Sequence, residues 1–162
     1  MHLYFAAPLF SESESLFNAH LAQTIRERYP QHTIYLPQEN GDINDKQAYA
    51  DSKMIALADT EEVKKSQLMI ALLDGLTIDP GVASEIGIAY ASNIPIIGLY
   101  TDSRQQGATN TKKINALKTI GENQFHYVNL YTIGLIKLNG EIFHSTTELL
   151  VGLKNYLEER DH

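Results

Sequence analysis

The segment Asp79-Pro80-Gly81-Val82-Ala83-Ser84-Glu85-Ile86-Gly87-Ile88-Ala89 holds the residues best suited to chemistry, because Glu85 is the only charged residue between Pro80 and Ala91. On a helix its neighbours three and four positions away are Gly81, Val82, Ile88 and Ala89, and none can pair with a carboxylate. A carboxylate on an otherwise apolar helix is costly unless a reaction or a ligand uses it. A Glu on a narrow solvent-facing stripe fits the same spacing, so both interpretations stand here. The positive end of the helix dipole is expected to help keep Glu85 ionised. Asp79 suits a helix N-cap, with Pro80 at the first helical position, and catalysis is its other possible use. Gly81 and Gly87 allow a ligand or another backbone to approach closely.

Other chemistries find no support. The chain has no Cys, which excludes disulfides, thiolate nucleophiles and Cys-based metal sites. The six His residues, at 2, 20, 32, 126, 144 and 162, show no metal-ligand spacing. There is no Gly-x-Gly-x-x-Gly, no phosphate loop and no Gly-x-Ser-x-Gly elbow. A net charge of −7, from 13 basic and 20 acidic residues, argues against a general binder of nucleic-acid backbones. With 43% hydrophobic and 20% charged residues over 162 positions, the composition is that of one globular domain, 1–162. Nothing resembles a transmembrane span, and the N-terminus lacks the basic region of a signal peptide, so a cytoplasmic protein is expected.

The elements that must position these residues alternate. Leu3 to Ala7 reads as a buried strand, and Ser11 with Glu14 as a capping box for a helix carrying Phe17, Leu21 and Ile25. Thr33 to Leu36 predicts a second strand, followed by a polar loop over Gln38 to Asp45. A helix with Met54, Ile55, Ala58 and Val63 on one side leads to the continuous apolar run Leu68 to Leu73, as expected for a central parallel strand. Further strands are expected at Pro95 to Tyr100 and Phe125 to Val128, with a short helix from Lys112 between them. Asn139-Gly140 between apolar runs predicts a hairpin over Leu135 to Phe143, and Ser145 with Glu148 caps a last helix. This alternation predicts a flavodoxin-like α/β three-layer sandwich. Its mostly parallel sheet of five strands carries a small C-terminal hairpin and helix. Ligands of such sheets sit beyond the carboxyl ends of the strands, which points to Tyr4–Phe10, Gln38–Asn40 and Asp74–Glu85.

Asp79-x-Gly81-x-x-x-Glu85-x-Gly87-x-Ala89 resembles the catalytic motif of the nucleoside 2-deoxyribosyltransferases. Tyr4-Phe5-Ala6-Ala7-Pro8-Leu9-Phe10 is similar to that family's first strand and loop, Asp59 to its acidic residue before the third strand, and Asn129-Leu130-x-x-x-Gly134 to its late Asn motif. The resemblance spans roughly residues 3 to 134. Taken alone, Tyr4 fits a core tyrosine, Asp59 a solvated helix carboxylate and Asn129 a turn residue at a strand end.

The resemblance implies retaining transfer of 2-deoxyribose between nucleobases, in the service of nucleoside salvage, through a glycosyl–enzyme on Glu85. It implies that Asp59 or Asp79 protonates the leaving base, that Asp79 and Asn129 meet the sugar 5′-hydroxyl, and that Tyr4 fixes Glu85. It places Gly81, Pro8, Gln38 and Asn40 at the substrate, with base recognition near Gln38, Glu39 and Asn40. It implies no metal and no cofactor. In the family the late Asn comes from a neighbouring subunit, so a homo-oligomer with shared active sites is expected, its partners 2′-deoxynucleosides and free bases. Two alternatives are an N-glycosidase acting on 2-deoxynucleoside 5′-monophosphates and a non-catalytic nucleotide-binding module. The glycosidases carry Ser where Asp79 stands, and a carboxylate there repels a phosphate.

Overall fold

In the computed structural model the described residues are 1–41, 49–105, 109–116, 118–121 and 128–158. Strands β1 (His2–Ala6), β2 (Thr33–Tyr35), β3 (Leu68–Leu72), β4 (Ile96–Leu99) and β5 (Gly140–Phe143) form one sheet in the order β2-β1-β3-β4-β5. Every pairing is parallel, which gives the flavodoxin-like α/β fold.

Alternation along the strands sends two sets of side chains to opposite faces. Leu3, Phe5, Ile70 and Leu99 join a core with Leu21 and Ile25 of α1 (Glu12–Arg28) and Leu149 and Leu153 of the last helix, Thr146–Glu158. Tyr4, Ala6, Met69 and Ala71 join a second core on the other face. There they meet Val63 of α2 (Ser52–Lys65), Val82, Ile86 and Ala89 of α3 (Pro80–Ala91), and the helix Leu130–Leu138. Helices therefore cover both faces. The Ser11/Glu14 capping box forms as expected: the Ser11 amide donates to Glu14 Oε2 at 2.7 Å and the Glu14 amide to Ser11 Oγ at 3.3 Å. Ser145 Oγ likewise accepts from the Glu148 amide, and the helix expected from Lys112 is α4, Thr111–Ala116. The following helices are then α5 (Leu130–Leu138) and α6 (Thr146–Glu158).

The hairpin expected over Leu135 to Phe143 is not there. Leu135 to Leu138 is the end of α5, capped at its start by Asn129 Oδ1, which accepts from the Thr132 amide at 3.0 Å. Asn139 closes that helix and Gly140 opens β5, which pairs parallel to β4 with Gly140 opposite Ile96. Gly140 serves a close approach and not a turn: a Cβ built there lies 1.8 Å from the Ile96 carbonyl oxygen. The fifth strand is thus Gly140–Phe143. The strand expected at Phe125–Val128 falls outside the described residues except for Val128, which is in no strand, and the loop after Glu39 is described only to Gly41. Among the described residues no helix is long and apolar enough to cross a membrane.

Candidate active site

The parallel order brings the carboxyl ends of β1 and β3 side by side, and the chain leaves them in opposite directions. On the α2–α3 side lies a cavity of about 300 Å³. Ala7, Leu9 and Phe10 line it from the loop after β1, Pro37 from the loop after β2, and Ile55 and Asp59 from α2. Asp79, Gly81, Val82 and Glu85 complete the wall from the first two turns of α3.

Glu85 is half-buried there, and the Tyr4 hydroxyl donates to its Oε1 at 2.7 Å. Tyr4 is itself 0% exposed and fixed in the central part of the sheet. Among the described residues no Lys or Arg pairs with Glu85. Burial pushes its carboxyl up to about 7, the neighbouring Asp59 and Asp79 carboxylates push the same way, and the Tyr4 hydrogen bond opposes both. The helix dipole does not prevail as the sequence suggested, because Glu85 sits in the second turn, beyond the reach of the helix end. Burial also raises Asp59. Tyr4 is held far above the ordinary phenol range, by burial first and then by Glu85, so it stays a hydrogen-bond donor at any working pH. Asp79 is the N-cap of α3, its Oδ1 accepting from the Gly81 and Val82 amides at 2.8 and 3.1 Å. The cap leaves Oδ2 for other partners.

The remaining residues singled out by sequence stand elsewhere. The Pro8 carbonyl accepts from Asn18 Nδ2 at 2.8 Å, and Pro8 lines a neighbouring hollow on the α1 side of the sheet. Gln38 accepts from Asn18 Nδ2 at 3.1 Å and donates to the Ser15 carbonyl at 2.9 Å. Glu39 pairs with Arg26 at 2.6 Å. Asn40 donates to the Tyr35 hydroxyl at 2.8 Å. Asn129 is exposed at the head of α5 and is not among the residues lining this protomer's cavity. Sequence reasoning did not single out Ile55, Pro37 or Tyr35. Ile55 stands four residues before Asp59, so a helical reading of α2 places both on one face.

Chain comparisons bear on what such a cavity serves. Residues 3–129 match the family described as Nucleoside 2-deoxyribosyltransferase. The chain belongs to that family. Nucleoside 2-deoxyribosyltransferase-family proteins are enzymes that act on nucleosides and nucleobases, and residues 3–129 include the whole wall of the cavity. No match was found among curated protein sequences. Among solved structures, a conserved protein from Enterococcus faecalis V583 is 61% identical with a TM-score of 0.90, covering 96% of this chain and 98% of that one. A 2-deoxyribosyltransferase from Bacillus psychrosaccharolyticus shares the fold at 16% identity and a TM-score of 0.61, covering 93% of this chain and 90% of that one. A CMP N-glycosidase from Clostridium botulinum shares it at 19% identity and a TM-score of 0.58, covering 96% and 100%.

Proposed function

We propose that this family member transfers 2-deoxyribose between nucleobases by double displacement at Glu85. One observation carries this: a carboxyl group with no Lys or Arg partner among the described residues, oriented by a buried tyrosine, faces a cavity shared with two further carboxyl groups. Tyr4 occupies Glu85 Oε1, which leaves Oε2 to attack C1′ of the sugar. The C1′–N bond breaks, its electron pair goes to the base, and Asp59 delivers a proton to the departing ring nitrogen. A second base then attacks C1′ while Asp59 takes up its ring N–H proton, Glu85 leaves with its bonding pair, and the anomeric configuration is retained.

Ionisation suits this division of labour. Burial raises both Asp59 and Glu85, and the Asp59 charge raises Glu85 further, so the pair keeps one proton up to about pH 7. The productive arrangement has that proton on Asp59 and the charge on Glu85. Asp79 orients the sugar through its 5′-hydroxyl, and its charge disfavours a 5′-phosphate.

The head of α5 supports a shared site. Leu130 and Tyr131 are 85% and 77% exposed beside Asn129, a contact face that would carry Asn129 into the cavity of a second copy. Salvage of nucleosides in the cytoplasm is the role in keeping with this activity.

The test is incubation with 2′-deoxyinosine, with and without free adenine, followed by chromatography. Deoxyadenosine is expected. Hypoxanthine with free deoxyribose in both incubations would make the protein a hydrolase, and absence of turnover across deoxynucleosides would make it a binding module. Glu85→Ala is expected to remove all turnover while the fold persists.

A further inference from the structure

Tyr4 does not hold Glu85 unaided. In the sheet it stands between its register partners Tyr35 of β2 and Met69 of β3. Partners in parallel strands present side chains to the same face, and the Tyr35 ring lies against the Tyr4 ring with centroids 5.5 Å apart and planes 22° from parallel. The Tyr35 hydroxyl accepts from Asn40 Nδ2 at 2.8 Å. Asn40 ends the 3₁₀ turn Pro37–Glu39, where its amide donates to the Pro37 carbonyl at 3.0 Å. Gln38 and Glu39 bind that turn to α1 through Asn18, Ser15 and Arg26. The polar residues after β2 therefore spend their hydrogen bonds inside the protein, and the turn works as a strut.

We propose that Tyr35 is a positioning residue for the nucleophile: its ring, stacked on Tyr4 and tethered through Asn40, fixes the Tyr4 hydroxyl on Glu85 Oε1. The effect on turnover rests on the transfer reaction proposed above; the effect on the hydrogen bond does not. Without the Tyr35 ring one side of the Tyr4 ring loses its packing partner, and the hydroxyl gains room to leave Oε1. That hydrogen bond is the interaction holding the Glu85 carboxyl down, against burial and against Asp59 and Asp79. The groups facing Tyr35 itself are Asp59 and Glu62 from α2 and Glu85 from α3, with Lys65 farther along α2. Burial, together with these acidic neighbours, pushes its phenol up, so Tyr35 acts as a neutral ring.

The test is a carbon NMR titration of the Glu85 carboxyl in the intact protein, assigned by its loss in Glu85→Gln, alongside kinetics with 2′-deoxyinosine and adenine. Tyr35→Leu is expected to move the Glu85 midpoint upward by roughly half a pH unit or more. It is expected to lower kcat at pH 6 by at least about threefold while KM stays within about twofold. Tyr35→Phe keeps the ring and loses the tether, so it is expected to fall between wild type and Tyr35→Leu. In a Tyr4→Phe background Tyr35→Leu is expected to add no further shift, because the route through the hydroxyl is gone. An unmoved midpoint in Tyr35→Leu, or a further shift in the Tyr4→Phe background, overturns the proposal. Should Tyr35→Leu not fold, Tyr35→Phe decides: an upward shift supports the strut and a wild-type midpoint refutes it. A wild-type protein that turns over no deoxynucleoside refutes the transfer reaction and leaves the titration to judge the strut.

Discussion

Glu85 is an acid kept where an acid is uncomfortable, and that has a cost in folding. With its carboxyl raised from 4.5 to about 7, the native state keeps a proton that the unfolded chain releases between those values. Stability from this group is therefore unaffected below about pH 4, falls as pH rises through that window, and levels off above it, a loss on the order of 3 kcal/mol. Glu85→Gln is expected to match wild type in urea unfolding at pH 4 and to exceed it by up to about 3 kcal/mol at pH 8.5. Equal stability at both values would remove the burial argument. Activity follows the same proton: kcat/KM for deoxynucleosides is expected to fall as pH rises through about 7, as the Asp59–Glu85 pair loses the proton that Asp59 must deliver. Asp79→Ser keeps an N-cap oxygen for the Gly81 and Val82 amides, so the helix start is preserved while the charge goes. Repulsion between two charges some 5 Å apart near a protein surface is on the order of 3 kcal/mol. The variant is expected to gain on 2′-deoxynucleoside 5′-monophosphates relative to nucleosides by ten- to a hundredfold in kcat/KM, and unchanged selectivity would refute the repulsion. Glu85 was legible in the sequence as a candidate because an acid without partners on an apolar helix is rare, and Asp79 as the cap of that helix. Tyr35 was not, since a three-residue strand shows no period and its stacking depends on register.

At the scale of elements, the junction of α5 and β5 decides whether the fifth strand can dock. A Cβ at Gly140 meets backbone, the Ile96 carbonyl carbon and oxygen, and backbone has no rotamer with which to move aside. Gly140→Ala is expected to destabilise the protein by more than about 3 kcal/mol, with amide exchange of β4 and β5 accelerating before that of β1 and β3. A thermal midpoint within a degree or two of wild type would show that the strands part without cost. The same junction explains why Asn139-Gly140 misleads a reader of sequence. The dipeptide is the usual mark of a hairpin, but here the apolar residues before it repeat at helical spacing behind the Asn129 cap. The strands β1, β3 and β4 were legible as unbroken apolar runs, since a strand buried on both faces has no polar side to interrupt it.

For the whole molecule, the proposed sharing of sites between copies predicts complementation. Glu85→Ala keeps a functional Asn129 and Asn129→Ala keeps a functional Glu85, and each alone is expected to be inactive or nearly so. Mixed after mild dissociation, they are expected to recover roughly a quarter of wild-type activity if the assembly is a dimer. Recovery no greater than the sum of the separate variants would place each site within one chain. Neighbouring copies could not be inferred from residue types alone; the family resemblance supplied that expectation. One further consequence belongs to synthesis. Leu3 and Phe5 share a core with Leu149, Leu153 and Leu157, which are made long after them, and the Tyr29 hydroxyl donates to the Leu150 carbonyl across 121 positions. On the ribosome, the N-terminal half therefore waits with that apolar surface uncovered until the last helix emerges from the exit tunnel, the interval in which chaperones have most to guard.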